Sequence, residues 1–121
     1  VTVFQAPIGG LEEFALVISN SDITTIVDGD GAGDGAWYVP WFQVNENAGS
    51  TPSVTVDLYD GTTAYLLGTG GAVYKTKALT AGQSVTFSEG YVVPKGWKLR
   101  VTSNNAAGQI TVAGTRTRRL N

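Results

Sequence analysis

Apolar and polar residues alternate one for one through most of this chain, and that period of two limits its fold more than any other feature. In VTVDLYD (54–60), Val54, Val56 and Leu58 share one face while Thr55, Asp57 and Tyr59 share the other. In WKLRVTS (97–103), Trp97, Leu99 and Val101 oppose Lys98, Arg100 and Thr102. No stretch long enough for a helix carries an apolar stripe at helical spacing, so the chain reads as all-β. Further strands are expected at 1–4, 13–19, 23–27, 37–45, 64–68, 72–79, 84–93 and 109–115. Turn signals separate them, among them Asp60-Gly61, Ala81-Gly82-Gln83, Pro94-Lys95-Gly96 and Asn104-Asn105. This rhythm predicts a single antiparallel β-sandwich, jelly-roll or Ig-like, of about 8–9 short strands. One domain over 1–121 is expected, with an N-terminal arm at about 1–10 and a basic C-terminal tail at 115–121.

Composition removes most chemistry. The chain has no Cys, no Met and no His, so it has no disulfide, no Cys or His zinc ligand, no Ser-His or Cys-His nucleophile and no imidazole acid or base. Paired carboxylates or lysine chemistry remain, but the acids fall mostly in turns or on polar strand faces where little would raise a carboxyl pKa. The Gly68-Thr69-Gly70-Gly71 stretch lacks the Lys and Ser or Thr of a phosphate loop. No enzyme and no cofactor is expected. No apolar run approaches the ~20 residues of a membrane-crossing helix, and no membrane role is expected.

Charge is divided along the chain. Residues 1–74 hold nine acids and no Lys or Arg, whereas 75–121 hold all eight basic residues and one acid, Glu89. Either the protomer has an acidic and a basic surface that meet in an assembly, or strands of the two halves interleave and the charges mix. Arg116, Arg118 and Arg119 form a basic cluster without interleaved aromatics, on a chain of net charge −2. Docking to an acidic protein surface suits them better than nucleic acid.

The segment DGDGAGDGAWYVPWF (28–42) carries the two strongest ligand signals. Asp28, Asp30 and Asp34 occupy positions 1, 3 and 7 of a calcium-loop pattern, but Ala32 and Val39 stand at positions 5 and 12. They are weak metal candidates, and the expectation is an acidic hairpin tip with no metal. In WYVPWF, simple alternation puts Trp37, Val39 and Trp41 on one face and Tyr38, Pro40 and Phe42 on the other, leaving both faces apolar. Pro40 cannot donate to a ladder, so this strand is expected at a sheet edge or bulged. The alternative is a central core strand covered by the protein's own loops. As an edge it would make an intersubunit contact through Trp37, Tyr38, Trp41 and Phe42.

One resemblance runs through about two-thirds of the chain. Asp60-Gly61-Thr62, Ala81-Gly82-Gln83-Ser84, Gly90-Tyr91-Val92-Val93, Gly96-Trp97-Lys98-Leu99-Arg100-Val101 and Ile110-Thr111-Val112 resemble the turn-and-strand pattern of small β-sandwich virion proteins of tailed bacteriophages. Trp97 stands where that family usually has an acidic residue, and the acidic N-terminal third has no counterpart in it. The resemblance implies a non-enzymatic virion structural protein, foremost a capsid decoration or cement protein. Such a protein would bind the major capsid protein of a tailed phage as a homo-oligomer, with a trimer favoured. Contacts would fall on Trp37, Tyr38, Trp41, Phe42, Arg116, Arg118 and Arg119. A neck, tail or head-fibre component is the alternative within that group. Outside it stands a carbohydrate-binding β-sandwich module, in which Trp37, Trp41 or Trp97 would stack on sugar rings and Asp28, Asp30 or Asp34 would bind calcium or hydroxyls.

Overall fold

A computed structural model describes residues 8–19, 21–29, 36–47, 49, 51–67, 77–104 and 109–118. They form ten strands and, among these residues, no helix: β1 (Ile8–Ile18), β2 (Thr24–Asp28), β3 (Trp37–Glu46), β4 (Ser53–Tyr59), β5 (Ala64–Leu66), β6 (Lys77–Ala78), β7 (Ser84–Phe87), β8 (Tyr91–Val93), β9 (Lys98–Ser103) and β10 (Ile110–Arg118). All pairings are antiparallel. Sheet I runs β1-β10-β3 and ends in β7 and β8, which both pair with β3. Sheet II runs β2-β9-β4 and ends in β5 and β6, which both pair with β4.

β7 and β8 occupy successive stretches of one edge, as do β5 and β6. The strands thus fill eight positions, and the first pairs with the last while the second pairs with the last but one. This nested order is a jelly roll, which sets aside the Ig-like form of the sandwich. The strand expected over 84–93 is broken at Ser88–Gly90, where Gly90 has φ +79°. The strand expected at 1–4 lies outside the described residues.

Nested pairing also decides how the charges meet. Each acid-bearing strand of the first half lies against a base-bearing strand of the second: β1 and β3 on β10, β2 and β4 on β9. Arg100 grips Asp57 through two bonds, Nε to Oδ1 at 2.8 Å and Nη2 to Oδ2 at 3.2 Å. Arg116 Nε lies 3.6 Å from Glu12 Oε1, and Asp28 is in register with Lys98. The interleaved alternative therefore describes these strands.

The inner faces meet in one core. Sheet I contributes Ile18, Trp37, Val39, Phe42, Val44, Phe87, Val93, Ile110 and Val112; sheet II contributes Val27, Val54, Val56, Leu99 and Val101. Phe42 is its centre, stacked on Phe87 at 4.6 Å between centroids and edge-on to Tyr91 at 5.6 Å. Such aromatic pairs add about 0.5–1.5 kcal/mol beyond the area they bury.

The 37–46 strand departs from its expected place. β3 is central, paired with β10 on one side and with β7 and β8 on the other, so the edge expectation does not hold. The bulge expectation does. Trp41 pairs with Thr115 and Tyr38 with Thr117, which sets Val39 and Pro40 opposite the single residue Arg116. The extra residue falls where proline has no N–H for the ladder.

The expected tail also differs. β10 continues to Arg118, with Thr117 buried and Arg116 and Arg118 half-buried. Their guanidinium carbons lie 4.5 and 4.4 Å from the ring centre of Trp37, and cation–π attraction holds them there.

Candidate interaction surface

The bulge reverses which aromatics face out. Before it, Trp37 and Val39 point into the core; after it, Phe42 and Val44 do. Tyr38 and Trp41, on either side of the slip, both point outward and are 37% and 39% exposed. The faces inferred from alternation were wrong for this reason, since one extra residue shifts every later side chain by one face. Of the expected contact residues, Trp37 and Phe42 are core, and Tyr38 and Trp41 remain on the surface.

Around Trp41 the outer face of sheet I is organised in rows that cross the strands. Glu13, Thr115 and Trp41 form the first. Ala15, Ala113, Gln43 and Thr86 form the second, and Val17, Thr111, Asn45 and Ser84 the third. Hydrogen bonds fix the polar members: Gln43 Nε2 donates to Thr86 Oγ1 at 3.1 Å, Ser84 Oγ to Asn45 Oδ1 at 2.5 Å, and Asn45 Nδ2 to the Thr111 carbonyl at 3.4 Å. Beside Trp41 lies a groove of about 320 Å³ lined by Glu13, Phe14, Ala15, Ala113, Gly114 and Thr115. Small side chains on β1 and β10 make the hollow, and the indole forms its wall. Thr115 Oγ1 is buried there with no hydrogen-bond partner among the described residues. Gly114 sits so close under β3 that a Cβ would meet the Trp41 carbonyl oxygen at 2.5 Å and the Phe42 Cβ at 2.7 Å.

β1 bounds this face. Among the described residues it is a sheet edge of eleven residues, and its outward Leu11 and Val17 are 61% and 63% exposed. Among the described residues, Leu11, Val17, Tyr38, Trp41 and Val92 place five of the seven exposed large apolar side chains on sheet I, leaving Ile23 and Tyr65 elsewhere.

The other expected site residues are not gathered into a site. Asp28 is exposed at the end of β2, Asp30, Asp34 and Arg119 lie outside the described residues, and no three metal-ligating side chains come together among those described. Trp97 is half-buried and stacks on Tyr65 at 5.6 Å. On the outer side of sheet II, Asp57 and Arg100 are bound to each other and Arg100 lies 3.8 Å from the Tyr59 ring centre, an arrangement that fixes β4 to β9. Asp60 accepts from the backbone N–H groups of Thr63 and Thr62, which hold its carboxyl below the ordinary value; this is a turn lock. Sequence reasoning missed Glu13, Gln43, Thr115 and the edge residues Leu11 and Val17. The alternation of 11–18 marks which of its residues share a face, but not that the strand is an edge.

A jelly roll with one aromatic-bearing, open sheet face is the class that fold and surface define. No protein-family model matches the chain, and no curated protein matches it. Among solved structures it is similar to the CBM22-1-GH10 modules of the Clostridium thermocellum endo-1,4-β-D-xylanase 10B complexed with xylohexaose, at 17% identity and TM-score 0.41 over 98% of this chain and 28% of that one. It is also similar to the disulfide-linked pili of Bacillus endospore appendages, at 16% identity and TM-score 0.43 over 91% and 89%. Likenesses this distant carry no functional inference.

Proposed function

We propose that this chain is a non-catalytic structural subunit of a phage virion that assembles with copies of itself and decorates the capsid. One observation supports it most: among the described residues β1 is an eleven-residue edge paired only with β10, and its outward Leu11 and Val17 are more than half exposed. A long edge with apolar side chains is a template for pairing with another chain, and folded monomers normally blunt such edges. The absence of His and Cys removes the commonest catalytic groups, and the motif resemblance supplies the virion and the major capsid protein as partner. Jelly rolls serve viral capsids and lectins alike, so the fold favours neither and the surface carries the choice.

Native mass spectrometry tests assembly. A closed homo-oligomer, a trimer in the first instance, is expected for the wild type, and Leu11→Lys with Val17→Lys should give a folded monomer. Sedimentation with phage heads that lack the subunit tests the decoration role, with the double variant expected to lose attachment. A monomeric wild type that ignores the heads would overturn the proposal.

A further inference from the structure

We infer that the groove beside Trp41 on the outer face of sheet I is a saccharide-binding site for a neutral sugar chain. Strand pairing at the β1 edge would leave this face open, so the inference does not depend on the assembly reading.

The lining has the mixed character a sugar requires. A pyranose ring offers one face of C–H groups and a rim of hydroxyls, and needs a flat apolar wall with hydrogen-bonding groups around it. Trp41 supplies the wall, since an indole half out of solvent has apolar area still to bury. Glu13 and Thr115 stand in the same row across β1 and β10, and Gln43 follows two residues along β3. Ala15 and Ala113, the outward small side chains of β1 and β10, keep the floor low enough for a ring to enter.

A second observation is independent of the groove's shape. Thr115 Oγ1 is buried with no hydrogen-bond partner among the described residues, although hydroxyls removed from water nearly always find one. Thr115 stands between Glu13 and Trp41 in its row and lines the groove, so a sugar hydroxyl entering there would satisfy it after a small side-chain shift. Gln43 and Asn45 are already held by Thr86 and Ser84, so ordering them on binding forfeits little entropy. The single carboxylate, with no cationic lining residue, suits neutral sugars over anionic ones.

The site assigned here differs from the sugar platform expected from sequence. Trp37 is buried and Trp97 is stacked on Tyr65, which leaves Trp41 as the stacking residue.

The test is calorimetry and tryptophan fluorescence with cellohexaose, chitohexaose and maltohexaose, each raised to about 5 mM, where weak single-site binding is still measurable. At least one should bind and change the tryptophan emission. Trp41→Ala should then weaken binding by about tenfold or more, while Tyr65→Ala, which alters an exposed aromatic of sheet II, should leave it unchanged. Should Trp41→Ala fail to fold, Trp41→Phe and Glu13→Ala decide instead, and both must weaken binding. Binding by none of the three sugars, or undiminished binding by folded variants of Trp41 and Glu13, overturns the inference.

Discussion

Trp41 and Phe42 are neighbours in the chain with opposite fates. Phe42 is fully buried between Phe87 and Tyr91, while Trp41 stands on the outer face. Removing the first leaves a cavity in the centre of the core, and removing the second leaves an indentation that water fills. Phe42→Ala should therefore lower stability by about 3–5 kcal/mol, and Trp41→Ala by less than half as much; urea denaturation with unchanged slope measures both. The same contrast separates Trp37 from Tyr38. The four aromatics were legible as a group that needs burial on one side and a partner on the other. Their division was not, because it depends on one extra residue at Val39–Pro40. Pro40 gave the only local warning, since it excludes a regular ladder without saying which way the slip goes.

At the level of elements, the strand spans were mostly legible and their ends were not. Alternation located β2, β3, β4 and β9 closely, because each buries one face against the other sheet. β10 runs on past the expected end at residue 115, because Arg116 and Arg118 count as polar in any hydropathy pattern yet lie over the Trp37 ring. A long cationic side chain can belong to a packed strand when its stem covers an aromatic. Deleting 116–121 should therefore destabilise the domain, where a loose tail would have been dispensable. The loss of two ring contacts, the Glu12 pair and the buried Thr117 should amount to more than about 2 kcal/mol, or roughly 6 °C or more in melting temperature. Differential scanning calorimetry reads it directly, and an unchanged transition would show that these residues contribute nothing to folding.

For the whole molecule, the nested strand order joins the acidic first half to the basic second half. Asp57 and Arg100 show what depends on it: both are largely removed from solvent and each satisfies the other. Asp57→Ala would leave the guanidinium half-buried and uncompensated, and should cost about 3 kcal/mol or more; replacing both by apolar residues, as in Asp57→Leu with Arg100→Met, should recover much of that loss. A chemical-denaturation cycle over the two single variants and the double variant measures the coupling.

The sequence by itself determined that this chain is all-β and sandwich-like, without histidine or cysteine chemistry, because a period of two, turn residues and composition are local properties. Which strands lie side by side, whether the halves' charges separate or mix, and which aromatics reach the surface were decided by tertiary structure. Those outcomes follow from strand order and from a one-residue slip in register. Each depends on partners tens of residues away, and no local pattern in the chain encodes them.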